Sequence, residues 1–224
     1  MGRTLRIDIG DEIYHVLNRA NARMTIFEKE RDYQAFETII EEAKDRYPIQ
    51  IFSYQIMPNH WHFCLCSQND GDVTKFVQWL TLTHTQRWHA HNHSIGTGHL
   101  YQGRYKSFLV QKDNYFLQLC RYIESNALRA KLVQRAEDWR WSSLWRREHG
   151  TDKQKELLSP WPIAIPSDYL EQVNISLAEK ELECMRASVL KSRPYGDDNW
   201  INRTVKKFGL EITLRQRGRP QKGS

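Results

Sequence analysis

Two histidines, His60 and His62, lie two residues apart in an aromatic stretch of the sequence. Apolar and aromatic residues alternate from residue 51 to residue 67, a pattern that predicts two β-strands joined by a tight turn at Pro58-Asn59. Successive side chains of a strand point to opposite faces, so both imidazoles share one face and the core takes the other, with Trp61, Phe63 and Leu65. The two histidine Cα atoms are then roughly 6 to 7 Å apart. At that separation two imidazoles can converge on one cation.

Two cysteines, Cys64 and Cys66, continue the histidine face of the same strand, which raises the alternative of a zinc site. A four-ligand site within the strand is excluded, because His60 and Cys66 are roughly 20 Å apart along an extended chain whereas zinc–ligand bonds are about 2.0 to 2.3 Å long. Any third ligand must therefore come from another element. A zinc centre of His60, His62 and Cys64 stays open at this point, and so does a polar strand face without a ligand.

A helix predicted from residue 113 to residue 131, with Asp113 as its N-cap, carries a second group of polar side chains. Apolar residues recur along it at helical spacing and form its core stripe: Phe116, Leu119, Cys120, Ile123, Ala127 and Ala130. Tyr122 and Asn126 lie about a third of a turn away and are four residues apart, so the phenol and the amide are predicted one above the other. A lone tyrosine on a helix usually packs against neighbouring residues or lies at the surface without a functional role.

The order of the predicted elements is β-α-β-β-α-β, the ferredoxin-like arrangement of a four-stranded sheet with two helices on one face. The pattern places strands at residues 12–19, 51–57, 60–67 and 104–111, and the intervening helices at 28–46 and 73–89. The other face is open for a site that includes His60 and His62, and the helix at 113–131 is expected there. We predict an α+β fold with one domain at residues 1–150 and a small helical extension at residues 151–224.

The extension changes in character along its length. Residues 159–166 are proline-rich and read as a linker. A capping box at 176–179 is predicted to open a helix that ends near residue 190, and a second helix follows Asp197 and stops at Gly209. These elements predict an accessory to DNA binding.

The net charge of +6 is concentrated at one end of the 224-residue chain. Residues 203–224 hold seven basic residues against one acidic residue, so they carry the whole excess charge. A localised basic tail is typical of proteins that bind polyanions, nucleic acid first, with an ordinary solubilising tail as the alternative. Near its end, Arg217-Gly218-Arg219-Pro220 resembles the core of an AT-hook, an extended segment that lies in the DNA minor groove.

Composition limits the class of protein. A hydrophobic content of 40% suffices for one full core, and no run of 18 apolar residues predicts a membrane span. The N-terminal residues lack the apolar region of a signal peptide. The four cysteines form no CxxC pair and no disulfide-scaffold spacing, which indicates reduced thiols in a cytoplasmic protein: Cys64, Cys66, Cys120 and Cys184.

Four motifs together closely resemble the REP-associated tyrosine transposases, which belong to the single-tyrosine HUH transposases. They are Met-Pro-Asn-His-Trp-His at 57–62, Gln-Gly-Arg-Tyr-Lys-Ser-Phe at 102–108, Arg-Tyr-Ile-Glu-Ser-Asn-Ala-Leu-Arg-Ala at 121–130 and Trp-Arg-Trp-Ser-Ser at 139–143. The resemblance implies that Tyr122 is the nucleophile and that a divalent metal, Mg²⁺ or Mn²⁺, is bound by His60, His62 and Asn126. The family usually has Asn-Pro-Val where this chain has Asn-Ala-Leu at 126–128. This difference alters helix geometry beside the site but removes no catalytic group.

The resemblance also implies an activity and its partners. The expected enzyme is a transposase that cleaves and rejoins single-stranded DNA beside REP-like hairpins through a 5′-phosphotyrosine, without nucleotide hydrolysis. In agreement, the sequence has no GxxxxGK phosphate loop. The expected partner is single-stranded or hairpin DNA, with no membrane, and the protein is a monomer or homodimer in the cytoplasm at the nucleoid. Two other classes stay open: a non-catalytic regulator that binds DNA or RNA hairpins, and a zinc metalloprotein.

Other side chains have narrower expected roles. Tyr115 is a rival nucleophile one helical repeat earlier, but Leu119 stands where an amide or carboxylate is needed, so Tyr122 is preferred. The predicted DNA contacts are basic residues of the site and the tail: Arg19, Arg104, Lys106, Arg129, Arg217 and Arg219. A histidine-rich run is predicted to be exposed polar surface: His84, His89, His91 and His93.

Overall fold

A four-stranded antiparallel sheet forms the centre of the computed structural model, which describes residues 6–215. Its strands lie in the order β2-β3-β1-β4 and are β1 Ile13–Arg19, β2 Ile49–Met57, β3 His60–Ser67 and β4 Lys106–Val110. Helix α1 Glu30–Arg46 connects β1 to β2, and α2 Asp72–His91 connects β3 to β4. The predicted ferredoxin-like α+β arrangement is confirmed.

The sheet separates two hydrophobic layers because its side chains alternate between faces. On one face α1 and α2 pack against Trp61, Phe63 and Leu65, as the strand pattern predicted. On the other face helix α3 Asn114–Glu124 packs against the side of β3 that carries Cys64 and Cys66. The helix that bears Tyr122 therefore lies across the histidine face, where the sequence predicted it.

Six further short helices and three 3₁₀ turns lie in the described part of the chain. They are α4 Asn126–Arg129, α5 Ser143–His149, α6 Asp152–Lys155, α7 Tyr169–Asn174, α8 Glu179–Lys191 and α9 Asp198–Phe208, with 3₁₀ turns at Asn21–Arg23, Ala136–Asp138 and Glu211–Leu214. Helices α7 and α8 join α3 in the second layer. Within residues 6–215, no helix combines the length and apolar character needed to cross a membrane.

The helix predicted over 113–131 is in fact two helices. Helix α3 ends at Glu124 and α4 begins at Asn126, with Ser125 between them. The Ser125 hydroxyl donates to the carbonyl of Arg121 (2.6 Å), a local bond that competes with regular helix geometry. Tyr122 and Asn126 therefore stand on opposite sides of a break rather than on one continuous helix.

Three features of the extension and of α2 differ from expectation. Helix α8 starts two residues later than predicted, with Ala178 rather than Ser176 at its N-cap, and Glu181 accepts a hydrogen bond from the Ala178 N–H (3.2 Å). Trp161, in the predicted linker, is docked: its Nε1 donates to the Phe52 carbonyl (2.9 Å). His84 is buried, with its Nδ1 2.7 Å from the Tyr101 hydroxyl, rather than exposed.

Candidate active site

His60 and His62 begin strand β3 and face the layer occupied by α3. Their ring centroids are 5.0 Å apart, with His62 almost fully buried and His60 partly exposed. The two-residue turn at Pro58-Asn59 aligns Met57 with His60, so the hairpin register places both rings on the same face of the sheet. This is the paired arrangement that the strand pattern predicted.

Each of these two imidazoles has one nitrogen engaged by a neighbour. The Nδ1 of His60 lies 2.6 Å from the amide oxygen of Asn59, and the Nδ1 of His62 lies 2.9 Å from the Nε2 of His15. An amide oxygen only accepts, so the Nδ1 of His60 carries the proton and its Nε2 keeps a lone pair. Histidines that bind metals are usually held in this way, by a second partner on the other ring nitrogen.

His15 also lies in this site, although it is not among the predicted site residues. It lies on β1 diagonally across from His62, since Leu17 is the residue directly opposite His62. The His15 and His62 rings are stacked with centroids 5.1 Å apart, and His15 is fully buried. Its Nδ1 has no hydrogen-bond partner within residues 6–215. The only sequence signal was alternation along β1, and the strand register needed to use it is not readable from one chain.

Burial favours the neutral form of all three imidazoles, because it lowers the pKa of each. Burial lowers the pKa of His15 to about 3 and that of His60 to about 4, with Arg19 and Arg129 adding to the effect on His60. Burial likewise brings the pKa of His62 well below its ordinary value. Neutral imidazole is the form that coordinates a metal ion, so the donor chemistry of His60 and His62 fits a divalent cation.

Helix α3 places Tyr122 beside His62 and His15. Its ring centroid is 6.0 Å from that of His62 and 6.1 Å from that of His15. The guanidinium of Arg129 lies over the Tyr122 ring, 4.3 Å from the centroid, and Nη1 donates to the Tyr122 carbonyl (2.8 Å). The quadrupole of an aromatic ring attracts a cation over its face, so this contact helps to hold the Tyr122 ring in place. Tyr115 lies elsewhere, edge-on to Tyr195 at 5.2 Å.

Asn126 is the first residue of α4, directly after the break, and α4 lies against β2. Its side-chain amide is half-buried and makes no hydrogen bond to the described part of the chain. An amide oxygen is a common ligand for Mg²⁺ and Mn²⁺.

The alternative of a zinc site formed by His60, His62 and Cys64 finds no support within residues 6–215. Cys64 is fully buried, and its partner is the thiol of Cys120 on α3. Within residues 6–215, no three side chains of the histidine, cysteine, aspartate and glutamate types are grouped so that they could hold a metal ion. Asparagine is not one of these four residue types, so this finding does not concern a site that includes the Asn126 amide.

The predicted DNA contacts lie in four different places in the sequence and structure. Arg19, opposite His60 in the strand register, and Arg129 lie close enough to lower the pKa of His60. Arg104 lines a cavity of about 680 Å³ bounded by α2, on another side of the sheet. Lys106 donates to the carbonyl of Val189 in α8 (3.1 Å). The remaining two, Arg217 and Arg219, lie outside the described residues.

A buried carboxylate holds the C-terminal end of α3. Glu124 is fully buried and contacts the Ser143 hydroxyl and the Arg147 guanidinium of α5. Its other oxygen accepts from the Tyr169 hydroxyl of α7 (2.7 Å). The helix is thereby attached to two others at a point two residues from Tyr122.

Comparison with known structures gives the fold a relative. The chain is similar to a solved REP-associated tyrosine transposase bound to a REP hairpin, with 17% identity and a TM-score of 0.55, over 80% of this chain and 96% of that one. A putative transposase from Deinococcus radiodurans is 15% identical, with a TM-score of 0.38, over 59% of this chain and 91% of that one. No curated protein matches the sequence.

The segment that matches a protein family covers the sheet, α1, α2 and the helix that carries Tyr122. Residues 10–126 match the family described as "Transposase IS200 like". This segment is more than half of the 224-residue chain and includes both histidines, the tyrosine and Asn126. The chain belongs to the family of IS200-like transposases.

Proposed function

We propose that this transposase cleaves and rejoins single-stranded DNA beside a hairpin, with Tyr122 as the nucleophile. The observation that carries the proposal is the position of Tyr122, whose ring lies 6.0 Å from that of His62 on the otherwise buried face of the sheet. The hairpin substrate is supported by the structural relative, which is bound to a REP hairpin. Unpaired backbone is needed at the cleavage point, while a folded stem supplies a recognisable shape.

The covalent step conserves bond energy. The Tyr122 oxygen forms a bond to the phosphorus of a DNA phosphodiester, and the bond from that phosphorus to the 3′-oxygen breaks. The phenol proton leaves to solvent and the departing oxygen takes one up, which gives a 5′-phosphotyrosine and a free 3′-OH. Attack by a 3′-OH on the phosphotyrosine reverses the step and restores Tyr122. No nucleotide is hydrolysed.

The site also fits a divalent metal. His60 and His62 would hold Mg²⁺ or Mn²⁺ through their free Nε2 atoms, with Asn126 contributing its amide oxygen. The ion would supply Lewis-acid polarisation of a non-bridging phosphate oxygen. Arg19 and Arg129 add two fixed positive charges next to the histidines, which favour a bound phosphate. We further propose that Arg104, Lys106, Arg217 and Arg219 contact the DNA backbone outside the cleavage point.

Metal removal tests the proposal. A hairpin oligonucleotide with a single-stranded 5′ flank, carrying a 3′ fluorophore, is incubated with the protein and Mn²⁺ or Mg²⁺ and separated on a denaturing protein gel. We expect the 3′ label to migrate with the protein and chelation of the metal to abolish the adduct. The same DNA labelled at its 5′ end should release a free fragment. Tight binding without an adduct on any hairpin or with either metal would favour a non-catalytic binder.

Replacement of His15 tests the metal site without relying on cleavage. In His15→Phe the Nδ1 of His62 loses its partner, so we expect the affinity for Mn²⁺, measured by isothermal titration calorimetry, to fall by about 10- to 100-fold. His84→Phe is the matched control, because His84 is also buried but bonds Tyr101 on the other face of the sheet. Wild-type Mn²⁺ affinity in a folded His15→Phe protein would show that His15 does not orient His62.

A further inference from the structure

A buried glutamine of β2 fills the break between α3 and α4. Gln55 is fully buried and lies directly opposite His62 in the strand register. Its amide nitrogen, turned toward the helix, donates to the carbonyls of Ile123 and Glu124 at 3.0 Å each, and its oxygen accepts from the Ala127 N–H at 2.8 Å. The reverse orientation would place the amide oxygen against carbonyl oxygens alone.

These three contacts replace a backbone hydrogen bond. In a continuous α-helix the Ala127 N–H would donate to the Ile123 carbonyl, four residues earlier. Here the Gln55 amide stands between those two groups and bonds to each of them. A side chain inserted into the backbone ladder is a recognised cause of a helix interruption. In addition to the local bond of the Ser125 hydroxyl, the break therefore has a long-range cause, a residue about 70 positions away in the sequence.

The position of the break gives it a consequence for the site. Tyr122 precedes the inserted Gln55 amide and Asn126 follows it. The Gln55 amide therefore determines the distance between the Tyr122 phenol and the Asn126 side chain. The same glutamine lies beside His62 on the paired strand. The Gln55 side chain thus connects β2, the strand paired with that of His62, to the residues that follow Tyr122 and Asn126.

We propose that Gln55 is a positioning residue, which holds Tyr122 and Asn126 at a fixed separation and aligns both with His62. The proposal rests on the proposed function for the roles of those residues. Glutamine suits the task because its amide offers two N–H donors and one acceptor at the end of a three-bond side chain. A carboxylate in the same place would face two carbonyl oxygens without a proton to give. Asparagine would be one methylene too short.

The test compares Gln55→Met, which keeps the length but removes the hydrogen bonds, with a control on the same strand face. Ser53→Ala is that control, because Ser53 is also fully buried but bonds Ser143 of α5 rather than the break. For Gln55→Met we expect the single-turnover rate of adduct formation to fall by about 100-fold, as a displacement near 1 Å at the reacting atoms produces. The Kd for the hairpin oligonucleotide should change less than twofold. Ser53→Ala should retain the wild-type rate, and a wild-type rate in a folded Gln55→Met protein would overturn the proposal.

A readout independent of cleavage separates this proposal from the proposed function. By NMR, the side-chain NH₂ protons of wild-type Gln55 should be protected from exchange and show contacts to the Ala127 amide proton. In Gln55→Met the Ala127 amide should exchange at least tenfold faster. If the wild type forms no adduct but these signals are present, the proposed function fails and the placement of Gln55 stands. Absence of the wild-type contacts, which requires no variant to fold, overturns the placement.

Discussion

Tyr122→Phe is expected to abolish the covalent protein–DNA adduct, a loss of about 10⁵-fold or more, as removal of a covalent nucleophile causes. The phenyl ring preserves the packing against His15 and His62 and the contact with the Arg129 guanidinium, so the variant should fold normally. Binding to the hairpin oligonucleotide should be unchanged within about twofold, because only one hydroxyl is lost. The measurement is the gel assay with the 3′-labelled oligonucleotide, alongside a fluorescence anisotropy titration.

Tyr115→Phe is the matched control for this result. Tyr115 lies on the same helix, but its ring is edge-on to Tyr195, and the adjoining cavity is bounded by α8 and the start of α9. We expect adduct formation in this variant at close to the wild-type rate. An adduct that survives in Tyr122→Phe and disappears in Tyr115→Phe would transfer the nucleophile to Tyr115. If both variants keep the adduct, another side chain is the nucleophile.

The fold was readable from the sequence because its signals are local. Strand β3 begins at His60 and ends at Ser67, as its alternation predicted, since the turn at Pro58-Asn59 fixes the register of the β2–β3 hairpin. The helix after Asp197 was equally readable, because its N-cap accepts from the Trp200 N–H and Gly209 adopts a left-handed conformation (φ 65°) at its end. In each case a residue and its neighbours determine the outcome.

The parts of the site that the sequence did not reveal depend on pairings between distant segments. His15 reaches His62 only through the antiparallel register of β1 with β3. The break after Glu124 requires Gln55 from another strand, while the sequence of that segment alone favours one helix. His84 was expected at the surface, yet Tyr101 gives its imidazole a buried partner. The roles of His60, His62, Tyr122 and Asn126 follow from family resemblance and stay predictions, which the geometry supports.

Glu124→Ala is expected to lower the free energy of unfolding by about 3 to 5 kcal/mol, because it removes one member of a buried ion pair and leaves Arg147 without its partner. The Tyr169 and Ser143 hydroxyls also lose their acceptor in the interior. Glu124→Gln should cost less, since the amide oxygen still accepts from Tyr169. The measurement is urea denaturation, with the slope checked for a change in two-state behaviour.

Glu179→Ala provides the contrast, since Glu179 pairs with Arg186 where both side chains are more than half exposed. Such surface pairs contribute at most about 1 kcal/mol. A cost below 1 kcal/mol for Glu124→Ala would mean that the carboxylate is not paired in the folded protein. The stability of Glu124 matters for the site because this residue joins three elements. Its side chain contacts α5 and α7, and its backbone carbonyl accepts a hydrogen bond from Gln55. Destabilising this one residue should therefore release the end of α3, and adduct formation should decline at temperatures where the rest of the fold is still intact.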